Sequence, residues 1–223
     1  IYVCGNYHQI AYFGAFSTPT SSSGSSDIFV AKLSSTGDWL WVKTAGSTST
    51  DYCYDIDVDG GGNVSITGTF YNTISFGSTS FSSSGSLDAY VAVLDTMGNW
   101  LWAQKIGAGS SDYAYGIALA DSGNVYVTGY WTSGTLNFGS AGSISCSSCY
   151  SDAFIASLDS QGNWRWAQRM SGSYYERGRD VAVDAQERVY VTGEFSYQID
   201  FGSTSQYNYH AYDYWGFIAQ YSS

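Results

Sequence analysis

The sequence predicts an all-β fold built from tandem repeats, and three observations support that prediction. Aromatic residues make up 18% of the 223 residues, and charged residues only 12%. The chain holds 26 glycines and one proline, and Tyr, Thr, Val and Gly are typical of strands and tight turns. The third observation is a set of short sequence anchors that recurs along the chain at nearly constant spacing.

These anchors recur in one order and divide the chain into units of about 62 residues. A Val-Tyr-Val-Thr-Gly pattern begins at Ile1, Val64, Val125 and Val189. A Phe-Gly pair and a Trp-x-Trp pair follow it in turn, the latter in the first three units. We therefore predict a single repeat domain over 1–223, about 3.6 units long, with units at 1–63, 64–124, 125–188 and a partial unit at 189–223.

Each unit is predicted to hold four short strands, which we name A to D in chain order. The strands alternate in polarity and end at Gly, Ser, Asn or Asp, and the A–B and C–D links are short hairpin turns. A four-stranded meander repeated along a chain predicts a β-propeller or a propeller segment. In the most complete copy of the four-stranded meander the predicted strands are Tyr113–Leu119, Asn124–Gly129, Ala153–Leu158 and Trp164–Arg169.

The repeat resembles the bacterial β-propeller repeat known as the SBBP repeat. The stretches that carry the resemblance are Ile117–Tyr130, Val181–Phe195, Asp27–Val42 and Asp88–Ala103. The resemblance implies a large exported or surface protein, usually with no assigned activity. It therefore implies an extracellular or cell-surface location in a bacterium.

The formal net charge of −11 argues against nucleic acid as a partner, because phosphate binding needs clustered Lys and Arg. No apolar run reaches the ~18–20 residues of a membrane span, so we expect no membrane insertion. Ile1 opens inside a strand-like segment. We therefore expect the chain to be a processed product or a piece of a longer protein.

The four cysteines leave several interpretations open. Cys146 and Cys149 form a C-x-x-C pair that fits a structural disulfide, a redox motif or half of a zinc site. With only two histidines and no βαβ context, the disulfide is favoured. Cys4 and Cys53 either pair or remain buried thiols.

The predicted binding surface is the end of the sheets where the B–C and D–A connections lie. These connections are longer and more variable than the A–B and C–D turns, and loops on a rigid scaffold usually carry binding. The last unit adds a segment dense in tyrosine, which could equally cover a chain end or contact a neighbouring subunit. The candidate ligand-binding residues are Tyr71, Trp131, Tyr197, Tyr207, Tyr209 and Tyr212.

The Trp-x-Trp pairs at 39/41, 100/102 and 164/166 have two interpretations. Residues i and i+2 of a strand share a face, so the rings could form a platform for sugars. Their regular recurrence favours packing between neighbouring sheets instead.

Acidic residues also recur. Asp57 and Asp59 suggest a calcium loop, but the pattern does not repeat, and a turn is favoured; we expect no cofactor.

Asp27, Asp88 and Asp152 precede strand C and are expected to accept backbone N–H bonds. The acids that open strand A are expected to be solvated, with a cation-binding ring as the alternative; they are Asp51, Asp112 and Glu176.

No catalytic motif is present, so the sequence predicts a protein that is not an enzyme. The leading hypothesis is an exported, non-catalytic scaffold that binds protein or glycan, as in adhesion. The second is a structural module that assembles through open edge strands with further propeller blades or another copy of the chain. The third is an enzyme that uses the central channel.

Overall fold

The computed structural model describes residues 1–18, 25–146, 150–210 and 213–222. Within them, the principal strands form four antiparallel sheets of three, four, four and three strands. This matches the predicted order B–C–D, A–B–C–D, A–B–C–D, A–B–C. The all-β prediction is confirmed, and the one helical element among the described residues is a single 3₁₀ turn at Gly139–Ala141.

Sheets 1 and 2 and their hairpins contain the first eleven strands of the chain. Sheet 1 is β1-β4-β5 and sheet 2 is β6-β7-β10-β11, while β2–β3 and β8–β9 are separate hairpins. The strands are β1 (Tyr2–His8), β2 (Tyr12–Phe13), β3 (Phe16–Ser17), β4 (Ser26–Leu33), β5 (Trp39–Ala45), β6 (Tyr52–Val58), β7 (Val64–Phe70), β8 (Thr73–Phe76), β9 (Thr79–Ser82), β10 (Asp88–Leu94) and β11 (Trp100–Ile106).

Sheets 3 and 4 and their hairpins repeat this arrangement. Sheet 3 is β12-β13-β16-β17 and sheet 4 is β18-β19-β22, with hairpins β14–β15 and β20–β21. The strands are β12 (Asp112–Leu119), β13 (Val125–Trp131), β14 (Gly134–Asn137), β15 (Ser143–Cys146), β16 (Asp152–Leu158), β17 (Trp164–Met170), β18 (Glu176–Val183), β19 (Val189–Ser196), β20 (Gln198–Asp200), β21 (Ser205–Tyr207) and β22 (Tyr214–Tyr221).

The sheets stack face to face, and each gap between them holds a hydrophobic core. In β10, Val91 packs toward sheet 3 while Tyr90 packs toward sheet 1. Both faces of β7, β10 and β16 are thereby buried along their whole length. Successive side chains of a strand point to opposite faces, which explains why β10 and β16 are almost continuously apolar. In β7 the second face instead buries the hydroxyl side chains of Ser65, Thr67 and Thr69.

The first tryptophan of each Trp-x-Trp pair packs edge-to-face on the phenylalanine of the B–C hairpin. The ring centroids of Trp39 and Phe13 are 4.8 Å apart, and those of Trp100 and Phe76 are 5.0 Å apart. The second tryptophans, such as Trp41 and Trp102, pack on the cores between the sheets. The packing interpretation of these pairs is confirmed.

The long B–C segments form hairpins that fold back beside the outer D strands. Alternate residues bury one face of each hairpin, as Ile74 and Phe76 do in β8. A β-bridge from Ser75 to Gly46 ties this hairpin to the end of the preceding sheet. The B–C segments, expected to be long connections on the binding surface, therefore form hairpins with one buried face, because apolar residues at every second position require burial.

Candidate functional site

The most distinctive polar surface of the molecule is a group of aromatic and basic side chains on strands A and B of sheets 2 to 4. We call it the tyrosine–arginine cluster. In each of the strands β6, β12 and β18, two of these side chains stand two positions apart and therefore lie on the same face of the strand. The members of the cluster are Tyr52, Tyr54, Tyr113, Tyr115, Tyr130, Arg177 and Arg179.

The tyrosine rings of the cluster are packed together across two sheets. Tyr52 stacks on Tyr54 with centroids 5.8 Å apart, and Tyr54 lies 4.9 Å from Tyr115 of the next sheet. Tyr113 stacks on Tyr130 at 4.8 Å. Aromatic pairs at such distances contribute about 0.5–1.5 kcal/mol each beyond burial, so the rings are held in fixed positions.

Two arginines of sheet 4 cover the rings. The Arg177 guanidinium lies 5.2 Å from the centre of the Tyr130 ring, and that of Arg179 lies 5.1 Å from the centre of the Tyr115 ring. Glu194 accepts hydrogen bonds from both, at 3.3 and 2.5 Å. Cation–π contacts and the carboxylate fix the guanidinium planes, while Arg179 remains 41% exposed.

A second group of tyrosines continues the surface toward the D–A connections. Tyr150 stacks on Tyr174 with centroids 5.8 Å apart, and Tyr174 lies 6.0 Å from Tyr197. Tyr175 lies 6.3 Å from Tyr214, and the Arg177 guanidinium lies over both of these rings. The aromatic surface therefore extends from sheet 2 to sheet 4 at the loop end of the sheets.

Three phenols of the cluster, those of Tyr54, Tyr113 and Tyr130, are neutral hydrogen-bond donors at neutral pH. Burial raises the pKa of Tyr54 to about 12, and burial also raises the pKa of Tyr113 and Tyr130. Desolvation disfavours the charged form of an acid, so these groups keep their protons. The surface can therefore stack on a ligand and donate hydrogen bonds to it from phenol and guanidinium groups.

Two of the predicted ligand-binding residues adjoin this surface, and one is buried. Tyr197 contacts Tyr174, and Tyr71 lies close enough to Tyr113 to raise its pKa. Trp131 is fully buried against Phe154, and its Nε1 donates to the Gly134 carbonyl at 3.3 Å. The prediction that Trp131 extends the surface is wrong, because it ends strand B inside the core.

The remaining predicted residues lie elsewhere. Tyr207 is 50% exposed on β21, and Tyr209 is 86% exposed just after it. Both belong to the outer hairpin of the fourth unit rather than to the tyrosine–arginine cluster. Tyr212 lies outside the described residues.

The sequence contains a signal for the cluster that composition and single motifs do not reveal. Tyr-x-Tyr at 52–54 and at 113–115 and Arg-x-Arg at 177–179 occupy equivalent places in strand A. The pairs change from aromatic to basic between units, so the recurrence is visible only once the strands are superimposed.

The acids at the start of strand A are paired with the acids that open strand C, and both are buried. Asp112 and Asp88 are fully buried, as are Glu176 and Asp152. The expectation that strand A acids are solvated is wrong, since the D–A connection folds over them.

One member of each pair is held by a cation or by backbone groups. Lys105 Nζ lies 3.1 Å from Asp88 Oδ2, which also accepts the Ser84 N–H at 2.8 Å. Arg169 Nη2 lies 2.6 Å from Asp152. Burial raises the pKa of the other member, to about 7 for Asp112 and about 8 for Glu176.

Asp57 and Asp59 hold backbone groups. Asp57 Oδ2 accepts the Leu119 N–H of the next sheet at 2.7 Å. Asp59 closes the A–B turn by accepting the backbone and side-chain N–H groups of Asn63 at 2.8 and 2.7 Å. These contacts support the interpretation of a turn at 57–63.

The cysteines differ in state. Cys146 is disulfide-bonded, and Cys149 lies outside the described residues. Cys4 and Cys53 are free thiols on neighbouring sheets. Burial and the adjacent Cys4 raise the pKa of the Cys53 thiol. Of the two expected states, a disulfide or two thiols, the structure therefore has two thiols.

Comparison with known proteins matches one stretch of the chain to a known repeat. Residues 101–134 match the SBBP model of the β-propeller repeat, a stretch that runs from β11 through β13. An uncharacterized WD repeat-containing protein of Acanthamoeba polyphaga mimivirus is 25% identical over 200 residues. The match covers 76% of this chain and 14% of that protein. Among the described residues, no helix has the length and apolar character needed to cross a membrane.

Proposed function

Since the chain carries a β-propeller repeat of the SBBP family at residues 101–134, we propose that it is a non-catalytic scaffold that binds a protein partner through the tyrosine–arginine cluster. The observation that supports this most directly is the cluster itself. Its rings and guanidinium groups lie on strands of three stacked sheets, and they remain partly exposed there. A surface that is both fixed in place and accessible is preorganised for binding.

The composition of the surface favours a protein partner. Tyrosine and arginine are enriched at the centres of protein interfaces, where they supply large contact area with few rotatable bonds. The neutral phenols and the guanidinium of Arg179 can donate to backbone carbonyls of a partner. The mimivirus relative is described as a WD repeat-containing protein, and repeat scaffolds of this kind offer broad surfaces rather than single pockets.

Glycan is the second candidate partner, and stacked exposed rings favour it. The rings of Tyr52 and Tyr54 are nearly parallel, at 10°, and each residue is more than a third exposed. Tyr150 and Tyr174 repeat this arrangement at 6°. Flat aromatic faces next to hydrogen-bond donors suit the apolar faces and hydroxyl groups of sugars. Glycan binding at a cell surface would serve adhesion. We therefore propose an extracellular or cell-surface location for the protein.

The test is binding of the purified chain to an array of synthetic peptides and to an array of glycans. We expect saturable binding to probes on at least one array. The double substitution Tyr54→Ala and Tyr115→Ala should weaken that binding at least tenfold, because it removes the two rings that join sheets 2 and 3.

Tyr209→Ala is the matched control, because among the described residues Tyr209 is the most exposed tyrosine outside the cluster. It should leave binding within twofold of wild type. Circular dichroism would establish that the variants remain folded. Equal binding by the double variant and the wild type, or an equal loss with Tyr209→Ala, would remove the cluster from the binding site.

A further inference from the structure

The outer edge of sheet 4 differs from the outer edges of the other three sheets. In sheets 1 to 3, strand C is covered by strand D, which is β5, β11 and β17 respectively. Within the described residues, β22 pairs only with β19. Its outer backbone N–H and C=O groups therefore form an unpaired edge, which is a template for another strand.

The hairpin beside that edge has the phenylalanine and glycine that contact a tryptophan in the first three units. In the first three units the first Trp of strand D packs edge-to-face on the hairpin phenylalanine, with centroids 4.8, 5.0 and 4.8 Å apart. The glycine after that phenylalanine has a positive φ, and Trp Cδ1 lies 3.4–3.9 Å from the place where its Cβ would stand.

The fourth unit has the same phenylalanine and glycine, Phe201 and Gly202, which we call the tryptophan receptor. Phe201 packs on Phe217 of β22 with centroids 5.4 Å apart. Gly202 follows with φ +89°, and no heavy atom lies within 4 Å of its Cβ position. The phenylalanine and glycine that hold a tryptophan elsewhere are therefore present and accessible.

A cleft of about 620 Å³ runs along this edge. It is lined by β22, including Phe217 and Tyr221, and by the hairpin residues Phe201, Gln206 and Tyr207. A cleft that follows one strand and is walled by a hairpin fits an extended segment rather than a compact small molecule.

An unpaired donor in sheet 3 lies at the Tyr221 end of the same edge, where the Trp166 ring stacks on Tyr221. Trp41 and Trp102, the second tryptophans of strand D, donate from Nε1 to Thr96 and Ser160 in the C–D turn of the following sheet, both at 3.1 Å. Trp166 is equivalent to them, and its Nε1 is buried with no acceptor among the described residues. A C–D turn in sheet 4 would supply that acceptor.

We propose that the edge of β22 binds a Trp-x-Trp strand of a further β-propeller repeat, which completes sheet 4 by β-augmentation. The first tryptophan of that strand packs on Phe201 and Gly202, opposite Tyr221. A second copy of this chain is not the occupant, because β5, β11 and β17 are already hydrogen-bonded in their own sheets. The proposal is independent of the tyrosine–arginine cluster.

The test uses a synthetic peptide with the sequence of residues 159–170, which spans the C–D turn and strand D of unit 3. We expect saturable one-to-one binding by calorimetry and slower hydrogen exchange at the amides of β22. The same peptide with Trp164→Ser and Trp166→Ser is the control, and it should bind at least tenfold more weakly.

A pair of glycine substitutions locates the site on the protein. Gly202→Leu fills the receptor and should weaken peptide binding at least tenfold. Gly37→Leu is its matched control, because Gly37 has nearly the same φ, +90°, and likewise has no heavy atom within 4 Å of its Cβ position. It should bind the peptide as the wild type does.

Two results would overturn the proposal. One is equal binding of the native and the serine-substituted peptides, since a tryptophan receptor must distinguish them. The other is a dimer of the chain alone in which the β22 amides are protected, because the occupant would then be a second copy. If Gly202→Leu does not fold, the two peptides still decide the question.

Discussion

At the scale of single residues, the buried acid pairs are the least expected feature. Each pair joins the start of strand C to the start of strand A in the next sheet, and one member is held by Lys105 or Arg169 in sheets 2 and 3. The other member cannot ionise without leaving a second charge in a water-poor site. Its raised pKa is therefore a consequence of packing the D–A connection over the sheet end.

These pairs predict that stability falls as pH rises. In the unfolded chain Asp and Glu titrate near ~4, whereas burial raises the pKa of Asp51 and Asp112 to about 7 and that of Glu176 to about 8. Between these values the unfolded chain has released protons that the folded chain retains. The stabilisation is therefore complete below about pH 4 and is lost as pH rises through 7 to 8.

Urea unfolding at pH 5 and pH 8.5 measures this decline. Asp112→Asn should reduce it, because an amide does not titrate. Asp159→Asn is the control, since the pKa of this exposed turn carboxyl is lowered by its hydrogen bonds to Asn163, and it is ionised at both pH values. A free energy of unfolding that rises from pH 5 to pH 8.5 would contradict the prediction.

At the scale of elements, the B–C hairpins act as side walls rather than as recognition loops. Phe76 of β8 is 2% exposed and packs on Trp100 and Tyr90. A ring in this place links the hairpin to strands C and D at once. This geometry explains why the Phe-Gly anchor and the Trp-x-Trp anchor recur together along the chain.

Phe76→Ala should therefore lower the free energy of unfolding by about 3–5 kcal/mol, as large-to-small changes at buried aromatics do. Equilibrium urea denaturation is the measurement. Phe16→Ala, in the equivalent hairpin of unit 1 but 39% exposed, should cost far less. Similar losses in the two variants would show that the hairpin is not anchored through Phe76.

At the scale of the whole molecule, carboxylates on strand A connect one sheet to the next. Asp55 Oδ2 accepts the Ile117 N–H at 2.8 Å, and Asp57 accepts the Leu119 N–H of the same strand. Asp180 is equivalent to Asp55 but is exposed, and its Oδ1 accepts only the neighbouring Val181 N–H at 2.8 Å in the described contacts. The stacking of sheets 2 and 3 thus depends on polar as well as apolar contacts.

Asp55→Ala should lower the free energy of unfolding by about 1–3 kcal/mol, because the N–H of buried Ile117 loses its acceptor. Asp180→Ala removes the same side chain at a place where, among the described residues, no N–H of another sheet donates to it, and it should cost less than about 0.5 kcal/mol, as exposed sites do. Thermal and urea unfolding of the two variants would compare them. Equal costs would mean that Asp55 does not support the contact between sheets.

The sequence by itself determined the strands, their order within each sheet and the packing role of the Trp-x-Trp pairs. Alternation of polarity and turn residues is a local signal, and repetition in four units strengthens it. The same regularity explains why the resemblance to the SBBP repeat is visible in the amino-acid sequence alone.

Only the tertiary structure decided which side chains are exposed at the loop end. It buried Trp131, paired Asp112 with Asp88, and brought Tyr54, Tyr115 and Arg179 together from three separate units. These outcomes depend on how one sheet stacks on the next, and residues in contact there lie about 60 positions apart. A local pattern fixes a strand and its two faces, but it does not specify what each face meets.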